Sequence, residues 1–103
     1  MTHLTKAVLF LLLSSCLSTF AQQNFTISGT VFEASSNETL IGVTIAVPEL
    51  RTGVVTNEYG FYSITLPEGE YQIQVSYLGF QDIVQTITLA ENQKLNFIGY
   101  AFV

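Results

Sequence analysis

The chain has 103 residues, 49% of them hydrophobic and 11% charged, with a formal net charge of −5 at pH 7. Those proportions fit one globular domain with one core and exclude a disordered or coiled-coil chain. The acidic balance also argues against two classes of partner: nucleic acid, whose phosphates need clustered Lys and Arg, and anionic lipid surfaces.

The first element in chain order is a leader. Lys6 precedes the apolar run Ala7 to Leu13, Ser14-Ser15-Cys16 follow, and Thr19-Phe20-Ala21 offers a small-residue cleavage site. This layout predicts a secretory signal peptide over residues 1–21, cut between Ala21 and Gln22. The apolar run falls well short of the ~20 residues needed to span a bilayer, so no transmembrane span is expected in the mature chain. Leu13-Ser14-Ser15-Cys16 also fits a lipoprotein signal, in which Cys16 becomes the lipidated first residue; this reading ranks second. Removing the leader takes away His3, Cys16, Met1 and Lys6, leaving Arg51 and Lys94 against eight acids. A disulfide within the mature chain is then excluded even in an oxidising compartment. Residues 22–103 must fold by packing alone.

From Phe25 onward apolar residues recur at every second position, the pattern of strands that bury one face. Phe25, Ile27 and Val31 share a side with Gly29 in register. A polar loop, Glu33 to Thr39, leads to Gly42–Val47, which Pro48 stops because it cannot donate to a central ladder. A short strand at Val54–Thr56 precedes Asn57-Glu58-Tyr59-Gly60, whose Asn and Gly predict a hairpin turn. Tyr62, Ile64 and Leu66 then point one way and Phe61, Ser63 and Thr65 the other. Pro67-Glu68-Gly69-Glu70 predicts a second turn of the same sort. Tyr71, Ile73, Val75 and Tyr77 alternate with Gln72, Gln74 and Ser76. After Leu78-Gly79-Phe80, a strand from Gln81 to Leu89, a turn at Ala90–Gln93 and an apolar strand from Lys94 to Val103 complete the chain. No segment has helical apolar spacing over a useful length. About seven short strands with turns every ~8 to 12 residues predict an all-β, antiparallel sandwich.

In order, Ser28-Gly29-Thr30-Val31, Leu40-Ile41-Gly42-Val43, Thr56 to Gly60 with Tyr62 and Ile64, Pro67 to Tyr71, and Val75 to Phe80 resemble the carboxypeptidase regulatory-like domain. That resemblance covers residues 25 to about 97 and implies a seven-stranded, transthyretin-like (prealbumin-like) sandwich of Greek-key type. Such domains are not peptidases; the zinc and catalytic residues of carboxypeptidases belong to a separate domain. A copy directly after a signal peptide is similar to the N-terminal periplasmic extension of TonB-dependent outer-membrane nutrient receptors. The resemblance therefore implies a periplasmic accessory domain, in the periplasm or at the periplasmic face of the outer membrane. Its partners would be an envelope protein such as a receptor plug or barrel, or TonB. A receptor would continue into a plug and barrel, whereas this chain stops on NFIGYAFV, so a truncated or free-standing copy is expected. The apolar run Leu95–Val103 is an expected edge for strand addition.

Catalytic chemistry finds little support. With no mature histidine, a Ser or Thr nucleophile lacks a base, and zinc or iron lacks N and S ligands. No segment has the spacing of a calcium loop. The strongest enzymatic idea is a glycosidase-like carboxylate pair of Glu58 with Glu68 or Glu70; the favoured reading is that these acids are solvated corners. No catalytic residue, metal or cofactor is expected. Tyr59, Phe61, Phe80 and Tyr100 lie at turns or on the outward parity and are the candidate contacts for a protein partner or, in the alternative reading of an exported carbohydrate-binding module, for sugar rings. Asn24-Phe25-Thr26 and Asn37-Glu38-Thr39 match glycosylation acceptors and are read as coincidence in a bacterial protein.

Overall fold

The computed structural model describes residues 22–102, so the leader expected over residues 1–21 lies outside the described residues. Strands β1 (Asn24–Glu33), β2 (Thr44–Val47), β3 (Thr52–Val55), β4 (Phe61–Pro67), β5 (Gly69–Ser76), β6 (Ile83–Leu89), β7 (Gln93–Lys94) and β8 (Phe97–Gly99) follow one another, with one 3-10 turn at Pro48–Leu50. They form two sheets: β4-β1-β7, in which β8 also pairs with β1, and β3-β2-β5-β6. The all-β sandwich expected from the alternation is the observed fold.

The parity reading places the core correctly. Ile27 and Val31 of β1, Tyr62, Ile64 and Leu66 of β4, and Tyr71, Ile73 and Val75 of β5 are buried against Val43, Ile45, Val47, Ile87, Leu89 and Phe97. Each such side chain contributes ~1.5–3 kcal/mol by leaving water, and among the described residues no buried side-chain polar atom lacks a partner. Tyr77, expected inside, is half-buried and packs on Phe80 with ring centroids 5.3 Å apart.

Three details of connectivity differ from the sequence reading. First, the corners at Asn57–Gly60 and Pro67–Glu70 are not hairpin turns, because β3 and β5 lie in one sheet and β4 in the other. They arch between layers using the same turn chemistry. The Asn57 carboxamide oxygen accepts from the amides of Tyr59 (3.0 Å) and Phe61 (3.1 Å). Gly60 sits at φ +72° with Thr39 against the position a Cβ would take. The true hairpins are β2–β3, closed by Arg51 N–H donating to Pro48 O at 3.1 Å, and β5–β6.

Second, the last strand runs parallel to the first rather than antiparallel. Each successive crossing of the sandwich reverses the chain, so the first and seventh crossings point the same way and can pair only in parallel. Third, that seventh crossing is interrupted. Ile27↔Gln93 and Val31↔Phe97 lie in one continuous register, but Leu95 and Asn96 leave the ladder between β7 and β8. The Leu95 amide donates to Ser28 O (2.8 Å). Asn side chains replace backbone acceptors on either side, Asn92 taking the Thr26 amide and Asn96 the Thr30 amide, each at 2.9 Å.

The interruption is built around Gly29. Its Cα side is in contact with the carbonyl of Leu95, so that a Cβ there would overlap a backbone atom. Directly across the β1–β4 ladder from Gly29 stands Tyr62. Its hydroxyl donates to Leu95 O at 2.6 Å, and its ring is tilted on Phe97 at 6.0 Å. The Leu95 carbonyl thus takes the space that a side chain at position 29 would fill, and Tyr62 caps that carbonyl from across the ladder, a cross-strand pairing that pins register. Burial pushes the Tyr62 phenol up from 10.0 to about 12.

Two outcomes follow. Gly29→Ala should lose ~3 kcal/mol or more, because the obstacle is main chain and cannot swing away; chemical denaturation measures it. Tyr62→Phe should lose ~1–2 kcal/mol at neutral pH. Because the folded-state phenol titrates above the unfolded one, its contribution is complete below pH 10 and fades as pH climbs toward 12. The wild type should therefore lose about 2–3 kcal/mol relative to Tyr62→Phe across that window, read from paired denaturation curves at each pH.

Candidate interaction surface

Because successive strands reverse, the loops divide between two ends of the sandwich. One end carries residues 48–51, the Pro67–Gly69 corner and residues 90–92. The other carries the β1–β2 loop, the Asn57–Gly60 corner, the β5–β6 turn and the segment after β8. This division decides the carboxylate question. Glu58 lies at the second end and Glu68 and Glu70 at the first, separated by the seven residues of β4, roughly 20 Å of strand. Glycosidase carboxylates stand about 5–10 Å apart, so the proposed pair is not formed. Among the described residues no three His, Cys, Asp or Glu side chains cluster as metal ligands. Glu49, not singled out from sequence, has a structural use: its carboxylate accepts the Gln72 amide at 2.9 Å, extending the edge of β5 beyond the end of β2.

The exposed apolar side chains are gathered at the second end. Tyr59 is 70% exposed on the Asn57–Gly60 corner, and Phe61 follows it as the first residue of β4. Leu78, at the tip of the β5–β6 turn, is 96% exposed, and Tyr100 and Phe102 are 58% and 67% exposed. Ile41, Val55 and Ile98 complete the group; exposed Leu50 lies at the first end, and Val84 is on the outer face of β6 next to the β5–β6 turn. All four aromatics selected from sequence thus sit at one end, but they do not form one platform. Phe61 and Tyr59 flank β1 on the β4 side. Tyr100 and Phe80 lie on its other side, joined where the Gln81 amide donates to Tyr100 O (2.9 Å) and Phe80 bridges to Ala101. Phe80 is half-buried, held between Tyr77 and the Cα side of Gly99, so it supports the surface more than it presents one.

Sequence reasoning missed Leu78 and Phe102. Leu78 marks only the end of an alternating run, and its exposure comes from the turn geometry. The Phe102 amide donates to Gly79 O at 2.9 Å, which brings the tail beside that turn. The same pairing occupies the outer edge of residues 100–102, while β1 takes the inner edge of Phe97–Gly99. Of the C-terminal run expected to accept a partner strand, residues 100–102 are therefore closed on their outer side, while β8 itself is paired only on its β1 side.

A buried polar residue holds this end together. Thr56, 3% exposed, donates its hydroxyl to Leu40 O (2.6 Å) and accepts the Val43 amide (2.9 Å). It clamps the β1–β2 loop to the start of β2, and Leu40 in turn packs against Gly99.

The fold and the surface together define an all-β sandwich module with dispersed carboxylates and one apolar end. The chain belongs to the CarboxypepD_reg-like domain family, whose profile matches residues 27–100. No curated protein matches it in sequence. Among solved structures it is similar to a chain of a type II cohesin–X-dockerin complex from Acetivibrio cellulolyticus, with 15% identity, a TM-score of 0.67, and coverage of 75% of this chain and 58% of that one. It is also similar to a DUF3823 family protein from Bacteroides ovatus, at 19% identity and TM-score 0.59 over 75% of this chain and 44% of that one. A third likeness is to 3-chlorocatechol 1,2-dioxygenase from Rhodococcus opacus, at 7% identity and TM-score 0.59 over 82% and 62%. The chain spans less than two thirds of each of these structures. Likeness at such identities establishes the fold; a component of a binding complex and an enzyme both share it.

Because Leu78 and Phe102 are solvent-facing, Leu78→Ser and Phe102→Ser should each change stability by no more than ~0.5 kcal/mol. Thr56→Val, which strands a buried amide and a carbonyl, should lose ~2 kcal/mol. Thermal denaturation of the three variants tests the division between surface and support.

Proposed function

We propose that the chain is an exported, non-enzymatic interaction domain of the kind found ahead of TonB-dependent outer-membrane receptors, working in the periplasm or at the periplasmic face of the outer membrane. The observation that carries this reading is the collection of exposed aromatic and aliphatic side chains at one end of the sandwich, in contrast to the polar outward residues of β5, Glu70, Gln72, Gln74 and Ser76. A monomer rarely exposes such a surface without a use for it, and aromatic residues are the usual anchors of protein interfaces. Family membership supports the domain type, and the leader-like first 21 residues support export. Among the described residues no helix is long and apolar enough to cross a membrane.

On this reading Leu78, Tyr100 and Phe102 meet an envelope protein, a receptor plug or TonB, with the Tyr59–Phe61 corner as a second contact. The competing reading, a carbohydrate-binding module, uses Tyr59 and Phe61 as stacking rings for sugars. A photoreactive phenylalanine at position 100 should crosslink in cells to a TonB-dependent receptor or to TonB, and one at Gln74 on the polar face should not. Equal crosslinking from both positions would contradict the proposal. So would retention on insoluble polysaccharide that disappears in Phe61→Ala.

A further inference from the structure

The β6 strand is a bare edge. Among the described residues it pairs only with β5, and its sequence, Ile-Val-Gln-Thr-Ile-Thr-Leu, contains no charge, glycine or proline. Natural edges are normally short, charged, bulged or covered, because an open row of amides and carbonyls invites another strand. The other edges are short or guarded at their ends. β3 is only four residues long, and the last crossing is broken into β7 and β8, of two and three residues. On β4 the outward groups of Phe61 are taken by Asn57, and Pro67 lacks an amide and gives its carbonyl to the Tyr71 hydroxyl at 2.7 Å.

Two observations fix which β6 groups face outward. The Gln72 amide points to Glu49 on the β2 side, so the Gln72↔Thr86 pair exchanges no ladder bonds and Thr86 directs its N–H and C=O away from β5. Thr88 has the same parity, and its carbonyl is reached from outside by the Gln93 side chain at 2.7 Å. Val84 and Thr86 are therefore the residues whose amide and carbonyl both face the open edge.

We propose that this edge pairs antiparallel with β6 of a second copy, about a two-fold axis at Gln85. That register is the one that engages Val84 and Thr86 and leaves Thr88 with Gln93. Val84 meets Thr86 of the copy and Thr86 meets Val84, giving four N–H···O bonds. Gln85 falls opposite itself, and Ile83 opposite Ile87. A two-fold contact must be self-complementary, and this one is. Core-parity residues meet core-parity residues, so the buried face stays continuous, and no acid falls opposite an acid despite the chain's net charge. The contact also covers Val84, 57% exposed, and half-buried Ile83. The result is one eight-stranded sheet through both copies, with both apolar ends left open to partners.

The test uses the expressed chain with Cys16→Ser, which removes its single cysteine. A cysteine introduced by Gln85→Cys should form an intermolecular disulfide on mild oxidation, since facing residues in such a pair lie ~4.5–5.5 Å apart. Gln74→Cys, on the outward face of β5, should not. Sedimentation equilibrium should show a monomer–dimer equilibrium that Val84→Lys weakens by about tenfold or more while thermal unfolding stays cooperative. A monomer at every concentration would overturn the proposal. So would a dimer insensitive to Val84→Lys, or one that Gln85→Cys crosslinks no faster than Gln74→Cys.

Discussion

A single hydrogen bond of 2.6 Å, from the Tyr62 hydroxyl to the Leu95 carbonyl, joins three strands at the point where one of them leaves its ladder. It exists because Gly29 has no side chain. The glycine lets the Leu95 carbonyl approach β1, and the tyrosine opposite the glycine reaches over it to satisfy that carbonyl. A bulkier residue at position 29 and a shorter one at 62 fail for different reasons, one by overlap and one by leaving a half-buried acceptor unpaired. Together the two residues make the parallel β1–C-terminal pairing specific in an otherwise antiparallel sandwich, and parallel pairs are the slightly weaker kind per residue.

The apolar end depends on that junction. Ile98, Tyr100 and Phe102 belong to the segment that Leu95 anchors, and the Phe102 and Gln81 amides tie that segment to the β5–β6 turn. Leu78 is thus presented beside Phe102 because the last strand is held in place some distance away. Thr56 performs the corresponding task from the other sheet, fixing the loop whose Leu40 side chain packs against Gly99. Rigid support beneath exposed aromatics lowers the entropy cost of docking.

Much of the architecture is legible in the sequence because period-two alternation is a local signal. Tyr62, Ile64 and Leu66 and then Tyr71, Ile73 and Val75 point inward as their spacing requires. The acids at Glu58 and Glu68 fall at corners, as the Asn, Pro and Gly near them indicate, whereas Glu70 is already on the outward face of β5. What a local signal cannot carry is which sheet a strand joins. Asn57–Gly60 has the residues of a hairpin turn and serves as an arch, since turn chemistry closes a few residues and is blind to where the flanking strands go. The parallel direction of the last strand follows from counting reversals around the whole sandwich. Tyr59, Phe61, Phe80 and Tyr100 were recognisable as outside the core pattern, but their shared end of the molecule is a consequence of topology. The exposure of Leu78 and the partial burial of Phe80, two residues apart, depend on how the tail crosses the turn.

If the Gly29–Tyr62–Leu95 junction holds the last strand, and through it the apolar end, native-state amide hydrogen exchange will report it directly. The Leu95 amide, bonded to Ser28 O, should exchange with the same free energy as central amides such as that of Ile73, meaning only through global unfolding. Exchange at Leu95 by a much cheaper local opening, with β5 still protected, would show that the strand detaches independently and that the apolar end is not a fixed surface.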